Sequence, residues 1–123
     1  MTVLACGLAI VLNLMIILVG VRFLLAPETA AAAYGVPAKA DGDAAAYLSI
    51  KGLRDLTSGV IGLALLAFAG ASAEGWFMLA VALTPFGDTA IVLRHGGTKA
   101  VAFGIHFATA IAVLISAVLL FLV

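Results

Sequence analysis

The chain has 123 residues, 66% of them hydrophobic and 10% charged, with a formal net charge of zero. A soluble domain is roughly half apolar and a quarter charged, so this balance excludes an ordinary soluble domain and points to a membrane. Zero net charge offers no field for nucleic acid, and the single cysteine, Cys6, excludes an intramolecular disulfide or a CxxC redox pair.

Crossing hydrocarbon takes roughly 20 helical residues, and four apolar segments of about that length fill the chain. They run over residues 3–25, 44–70, 76–93 and 100–123. The first is interrupted only by Asn13 near its centre and Arg22 near its end. Leu4-Ala5-Cys6-Gly7 has the local form of a lipoprotein cleavage box. No basic or apolar region precedes it, so the segment reads as a retained span. Ala26-Pro27 stops the helix, because proline disfavours helical geometry in the residue before it. Pro27 then suits the first position of a short helix over 27–34, with Glu28 in its opening turn and Gly35 closing it. Tyr34 fits an interfacial anchor, so this piece is expected on the membrane surface.

Asp43 is the expected N-cap of the second span, whose first turns carry Lys51, Arg54 and Asp55. The connection over 70–75 is rich in small residues, carries Glu74 as its only charge, and leads to Trp76 at the interface. The third span passes Pro85 and Asp88, then Arg94-His95-Gly96-Gly97 forms a tight turn and Thr98 caps the fourth. Short second and third connections force antiparallel neighbours. The fold class is therefore all-α: one transmembrane domain over 1–123, an integral membrane four-helix up-down bundle with a short interfacial helix between spans one and two.

All six basic side chains (Arg22, Lys39, Lys51, Arg54, Arg94 and Lys99) fall at one end of that arrangement. The positive-inside rule then places both termini outside and loops 26–43 and 94–99 in the cytoplasm, most simply of a bacterial inner membrane. It also concentrates the polar chemistry in the cytoplasmic half. Lys51, Arg54, Asp55 and Ser58 share one face of the second span. Arg54 lies eleven residues past Asp43, roughly 16 Å along the helix. Asp88 is six residues before Arg94, roughly 9 Å inside its helix end, with Thr84 a turn deeper and Pro85 freeing the Val81 carbonyl. His106 is eight residues past Thr98, roughly 12 Å in, so it can meet Asp88.

Charged groups inside a span are costly, and default to functional candidates or to interhelical glue. Asp55, Asp88 and His106 are the candidate catalytic groups, and Arg22, Lys51, Arg54 and Arg94 the candidate ligand or head-group contacts. The structural alternative is a mutually paired network, for example Asp88 with Arg54 or Arg22, with Asn13 hydrogen-bonding between helices. Small-residue pairs such as Ser58/Gly62 and Gly104/Ala108 allow close helix approach. Two histidines, one in a turn, do not make a metal site, and no cofactor motif is present.

The strings Gly20-Val21-Arg22-Phe23-Leu24-Leu25-Ala26-Pro27, Lys51-Gly52-Leu53-Arg54-Asp55, Pro85-Phe86-Gly87-Asp88 and Arg94-His95-Gly96-Gly97 resemble a family of small bacterial and fungal membrane proteins. That family is catalogued as domain of unknown function 4267. The resemblance implies a four-helix membrane fold and no established reaction. A looser similarity to DoxX-like membrane proteins is one of architecture and implies no activity.

The leading functional reading is a binder of lipid or a lipophilic small molecule, or an assembly protein, with its polar cluster in the cytoplasmic half. The alternatives are a membrane-embedded isomerase, cyclase or oxidase acting on a lipophilic substrate, and a small dimeric transporter. A transporter would have to couple through Asp88 or Asp55, because Asn13 cannot cycle a proton. The partners implied are the bilayer, a lipophilic small molecule and, for transport, a further copy of the chain; nucleic acid is not among them.

Overall fold

The computed structural model describes residues 1–123, which form helices and no strands. Helix α1 covers Thr2–Leu25, α2 Pro27–Tyr34 and α3 Gly42–Phe68. Helices α4 and α5 cover Ala71–Arg94 and Lys99–Phe121. Three of these, α1, α4 and α5, are long and apolar enough to cross a membrane. Helix α3 is longer still, but Lys51, Arg54 and Asp55 interrupt its first half and leave residues 56–68 as its longest uncharged run. Just 23 of the 123 residues are buried, whereas Val3, Leu25, Phe68 and Leu83 are more than three-quarters exposed. An apolar exterior on this scale suits lipid, not water.

Helices α1 and α3 form one antiparallel hairpin, and α4 and α5 a second. Glycines let the first pair meet backbone to backbone. A Cβ on Gly20 would lie 2.5 Å from the Gly52 oxygen and the Leu56 nitrogen, and one on Gly59 would lie 2.5 Å from the Asn13 oxygen. Small residues favour this contact because lipid is as apolar as leucine, so close van der Waals packing holds membrane helices together. Of the small residues expected to serve this purpose, Gly62 packs tightly against the Asn13 side chain. Gly104 does not: nothing lies within 4 Å of a Cβ placed there.

The two hairpins touch mainly away from the basic end. There Ala5 and Ala9 of α1 pack with Met78 and Ala82 of α4 and with Val113, Ala117 and Leu120 of α5. Toward the basic end the hairpins separate, and the gap between them is the main cavity.

Local signals set the element boundaries. Ala26 leaves helical geometry before Pro27, which occupies the first turn of α2. Gly35 ends α2 with φ 105°, a left-handed conformation that glycine adopts without strain. A Cβ on Gly35 would also approach Val92 and Val101 to 2.9 Å, so the glycine docks α2 on the second hairpin. Helix α3 begins at Gly42, slightly ahead of the expected start, with Asp41 as N-cap and Asp43 in the first turn. Asp43 there complements the helix dipole without capping. Thr98 does cap α5, accepting the Val101 N–H at 3.1 Å.

Helix α4 departs most from expectation. It starts at Ala71, directly after Gly70 with φ 95°, so Glu74 lies inside the helix and not in a connection. It breaks at Ala82, three residues before Pro85, where the missing proline N–H interrupts the helical ladder. Helix α5 carries a π-helical stretch, Ala102–Phe107, that contains His106.

Candidate functional site

The cavity between the hairpins has a volume of about 710 Å³ and a mostly apolar wall. Arg22 from α1, Lys51, Arg54, Asp55 and Ser58 from α3, Thr84 and Asp88 from α4, and His106 and Thr109 from α5 all lie on that wall. Asn13 also reaches it, toward the end remote from the basic residues. Arg94 is exposed at the end of α4 and is not part of the lining.

Tyr34 joins these groups, and its position is the main correction to a surface-lying α2. Ala30 and Ala31 are buried beside Phe23, and the Tyr34 ring turns inward between the two hairpins. On the first hairpin it meets Phe23 edge-on, with centroids 5.6 Å apart, and takes the Lys51 ammonium 4.1 Å from its ring centre. On the second, its hydroxyl donates to Asp88 Oδ2 and its carbonyl accepts from His106 Nε2 at 2.6 Å. The His106 ring is 4.2 Å from the Tyr34 ring, centroid to centroid. Asp88 and His106 do not bond each other; each contacts Tyr34, Asp88 at its hydroxyl and His106 at its carbonyl and ring. Because a carbonyl only accepts, His106 carries its proton on Nε2 when neutral, and Nδ1 is left as an acceptor without a protein partner. A π-helical turn shifts side-chain register, and such turns often occur at functional sites.

Burial pushes the Tyr34 phenol above its ordinary value of 10.0, and the neighbouring Asp88 and Asp55 charges push it the same way. The folded state thus favours the neutral phenol. Any stability that depends on it is complete below pH 10.0 and falls as the pH rises further, since the unfolded chain ionises first. Tyr34→Phe should accordingly remove no phenolate absorbance from the folded protein over the range where ordinary phenols ionise. A smaller absorbance change in the variant would contradict this placement.

The mutually paired network, the structural alternative for these charges, does not form. Lys51–Asp55, at 2.6 Å, is the one ion pair in the chain. Its i,i+4 spacing on α3 makes it a local contact, whereas long-range pairing would need arginine and carboxylate on facing helices at matching heights. Asp88 is bonded to Tyr34 and not to Arg54 or Arg22. Both arginines consequently stand on the cavity wall without a carboxylate partner.

At the remote end the polar contact is Asn13 with Glu74. Asn13 Nδ2 donates to Glu74 Oε1 at 2.7 Å and to the Ala9 carbonyl at 3.0 Å. Glu74 is fully buried, and its other oxygen, Oε2, has no partner. The sequence signal for Glu74 is slight: a lone acid four residues past a glycine reads equally well as a solvated turn. No three or more His, Cys, Asp and Glu side chains cluster as a metal site would require.

Apolar-faced helices of membrane length, arranged about a polar-ended cavity, define a helical membrane protein as the class. The chain belongs to the family described as Domain of unknown function (DUF4267), whose model matches residues 13–120. The matched stretch contains every charged residue of the cavity wall. No curated protein and no solved structure matches the chain.

Proposed function

We propose that this protein is a four-span membrane protein that holds a lipophilic molecule between its two helical hairpins. In this reading α3 is the fourth span, and its charged first half is tolerable because Lys51, Arg54 and Asp55 face the cavity and not the acyl chains. The basic end faces the cytoplasm of a bacterial inner membrane and both termini lie outside, by the positive-inside rule. Labelling of Cys6 by a membrane-impermeant maleimide in intact cells would support that orientation, and labelling only after lysis would reverse it.

The observation that carries the binding reading is the cavity itself. A volume of about 710 Å³ falls within the roughly 300–1,000 Å³ typical of small-molecule sites, and an apolar wall with few polar groups is their usual chemistry. Such a space within lipid is filled by something. The test is native mass spectrometry of protein released from its own membrane in mild detergent, beside Ser58→Phe and Thr109→Phe, which project from facing walls. The expected result is a discrete lipophilic adduct on the wild type that is lost from variants of unchanged helical content. Bare wild type, or equal adducts on all three, would refute it.

A catalytic use of the same cavity is the second reading. It is favoured by Tyr34, Asp88 and His106, three acid–base groups side by side on the wall: the Tyr34 hydroxyl bonds Asp88, and the His106 ring lies 4.2 Å from the Tyr34 ring. Recovery of chemically altered ligand from wild type, but intact ligand from His106→Gln, would select it over simple binding.

A further inference from the structure

The charges of the cavity do not cancel locally. Asp55 is satisfied by Lys51 and Asp88 by the Tyr34 hydroxyl, while Arg22 and Arg54 have no carboxylate within ion-pair distance. The two arginines come from neighbouring helices that Gly20 and Gly52 bring into backbone contact. Two unpaired guanidiniums at one end of an apolar cleft match an oxyanion better than a neutral or cationic group, because each offers a planar, bidentate set of donors.

The depth of the cleft limits the tail that such a head can carry. Arg22 and Asn13 are nine residues apart on α1, roughly 14 Å at 1.5 Å per residue, or about half of a 30 Å hydrocarbon core. Both line the cavity, so it extends about one leaflet deep from the arginines to the Asn13 side chain. A single unbranched tail fits such a depth, and the Asn13–Glu74 contact closes the far end.

We propose that Arg22 and Arg54 receive the oxyanion head of a single-tailed lipophilic acid whose tail lies in the cavity toward Asn13. The proposal rests on the binding reading above and adds the chemical class of the ligand. The matching probes are laurate and dodecanol, which share a tail that spans this depth when extended and differ in head charge.

Binding of each probe to delipidated protein is measured in detergent, for wild type and for Arg22→Gln/Arg54→Gln, with thermal unfolding as the check that the variant is folded. Laurate should bind wild type at least about tenfold more tightly than the variant, while dodecanol binds both alike. Arg22→Lys/Arg54→Lys should restore part of the difference, since lysine keeps the charge and loses the bidentate fork. Equal binding of laurate and dodecanol to wild type would overturn the head-group assignment and leave the cavity reading standing. Binding of neither would overturn the cavity reading as well. Wild type that ignores laurate, yet retains phosphatidylglycerol over phosphatidylcholine from mixed nanodiscs, would overturn the single-tailed ligand and assign the arginines to bilayer lipid.

Discussion

Gly20→Leu should unfold the first hairpin. The new Cβ would sit 2.5 Å from two backbone atoms of α3, and neither the Gly52 oxygen nor the Leu56 nitrogen can swing aside as a side chain would. The helices must separate, which breaks their backbone-to-backbone contact and draws Arg22 away from Arg54. We expect a loss of about 3 kcal/mol or more, at the upper end of overpacking effects. Unfolding by SDS titration in mixed micelles measures it. Gly7→Leu is the control, because a Cβ on Gly7 meets nothing within 4 Å and points outward. It should stay within about 0.5 kcal/mol of wild type, as surface changes do. Equal behaviour of the two variants would mean that α1 and α3 do not pack as described.

Asn13→Leu should have the next largest effect, through the partner it leaves behind. Glu74 is fully buried, and Asn13 supplies its only hydrogen bond. Stripping that bond from an enclosed carboxyl group costs about 3 kcal/mol, whereas replacing both partners by apolar side chains of similar shape is close to neutral. Asn13→Leu/Glu74→Met should therefore recover most of the stability lost in Asn13→Leu. Glu74→Met alone should be milder than Asn13→Leu, because Asn13 keeps its bond to the Ala9 carbonyl. An additive double variant would show that the two side chains act independently. The same SDS titration decides between these outcomes.

The architecture also sets two opposite requirements on the pair of hairpins. The hairpins must be pinned together at the Glu74 end and held apart at the basic end, or no cavity exists. Small residues accomplish the first: Ala5, Ala9, Ala82 and Ala117 allow close approach where Glu74 meets Asn13. Tyr34 accomplishes the second by standing between Phe23 and Lys51 on one side and Asp88 and His106 on the other.

Much of this is legible from local pattern. The helices, the Pro27 start and Gly35 stop of α2, and the Thr98 cap follow from backbone chemistry that acts within a few residues. Lys51, Arg54, Asp55 and Ser58 can be assigned one face of α3, because helical period alone sets that relation, and all four line the cavity. Height along a helix is equally local at 1.5 Å per residue, and it brings Asp88 and His106 to the same depth on neighbouring helices.

Every choice of partner across a gap lies beyond local pattern. Tyr34 at the end of a short helix could as well have ridden among lipid head groups. The docking of Gly35 against Val92 and Val101 turns it inward. Glu74 could have been solvated, but the early start of α4 and its packing on α1 carry it to Asn13. Arg22 and Arg54 could have paired with Asp88, yet Tyr34 holds that carboxylate instead. Which residues are helical, which face they share and how deep they lie can all be read along the chain, because each depends on near neighbours. Which charges are satisfied and which remain for a ligand emerges only once the hairpins pack. Hydrogen bonds and ion pairs require atoms within about 3–4 Å, and no local rule sets the distance between helices.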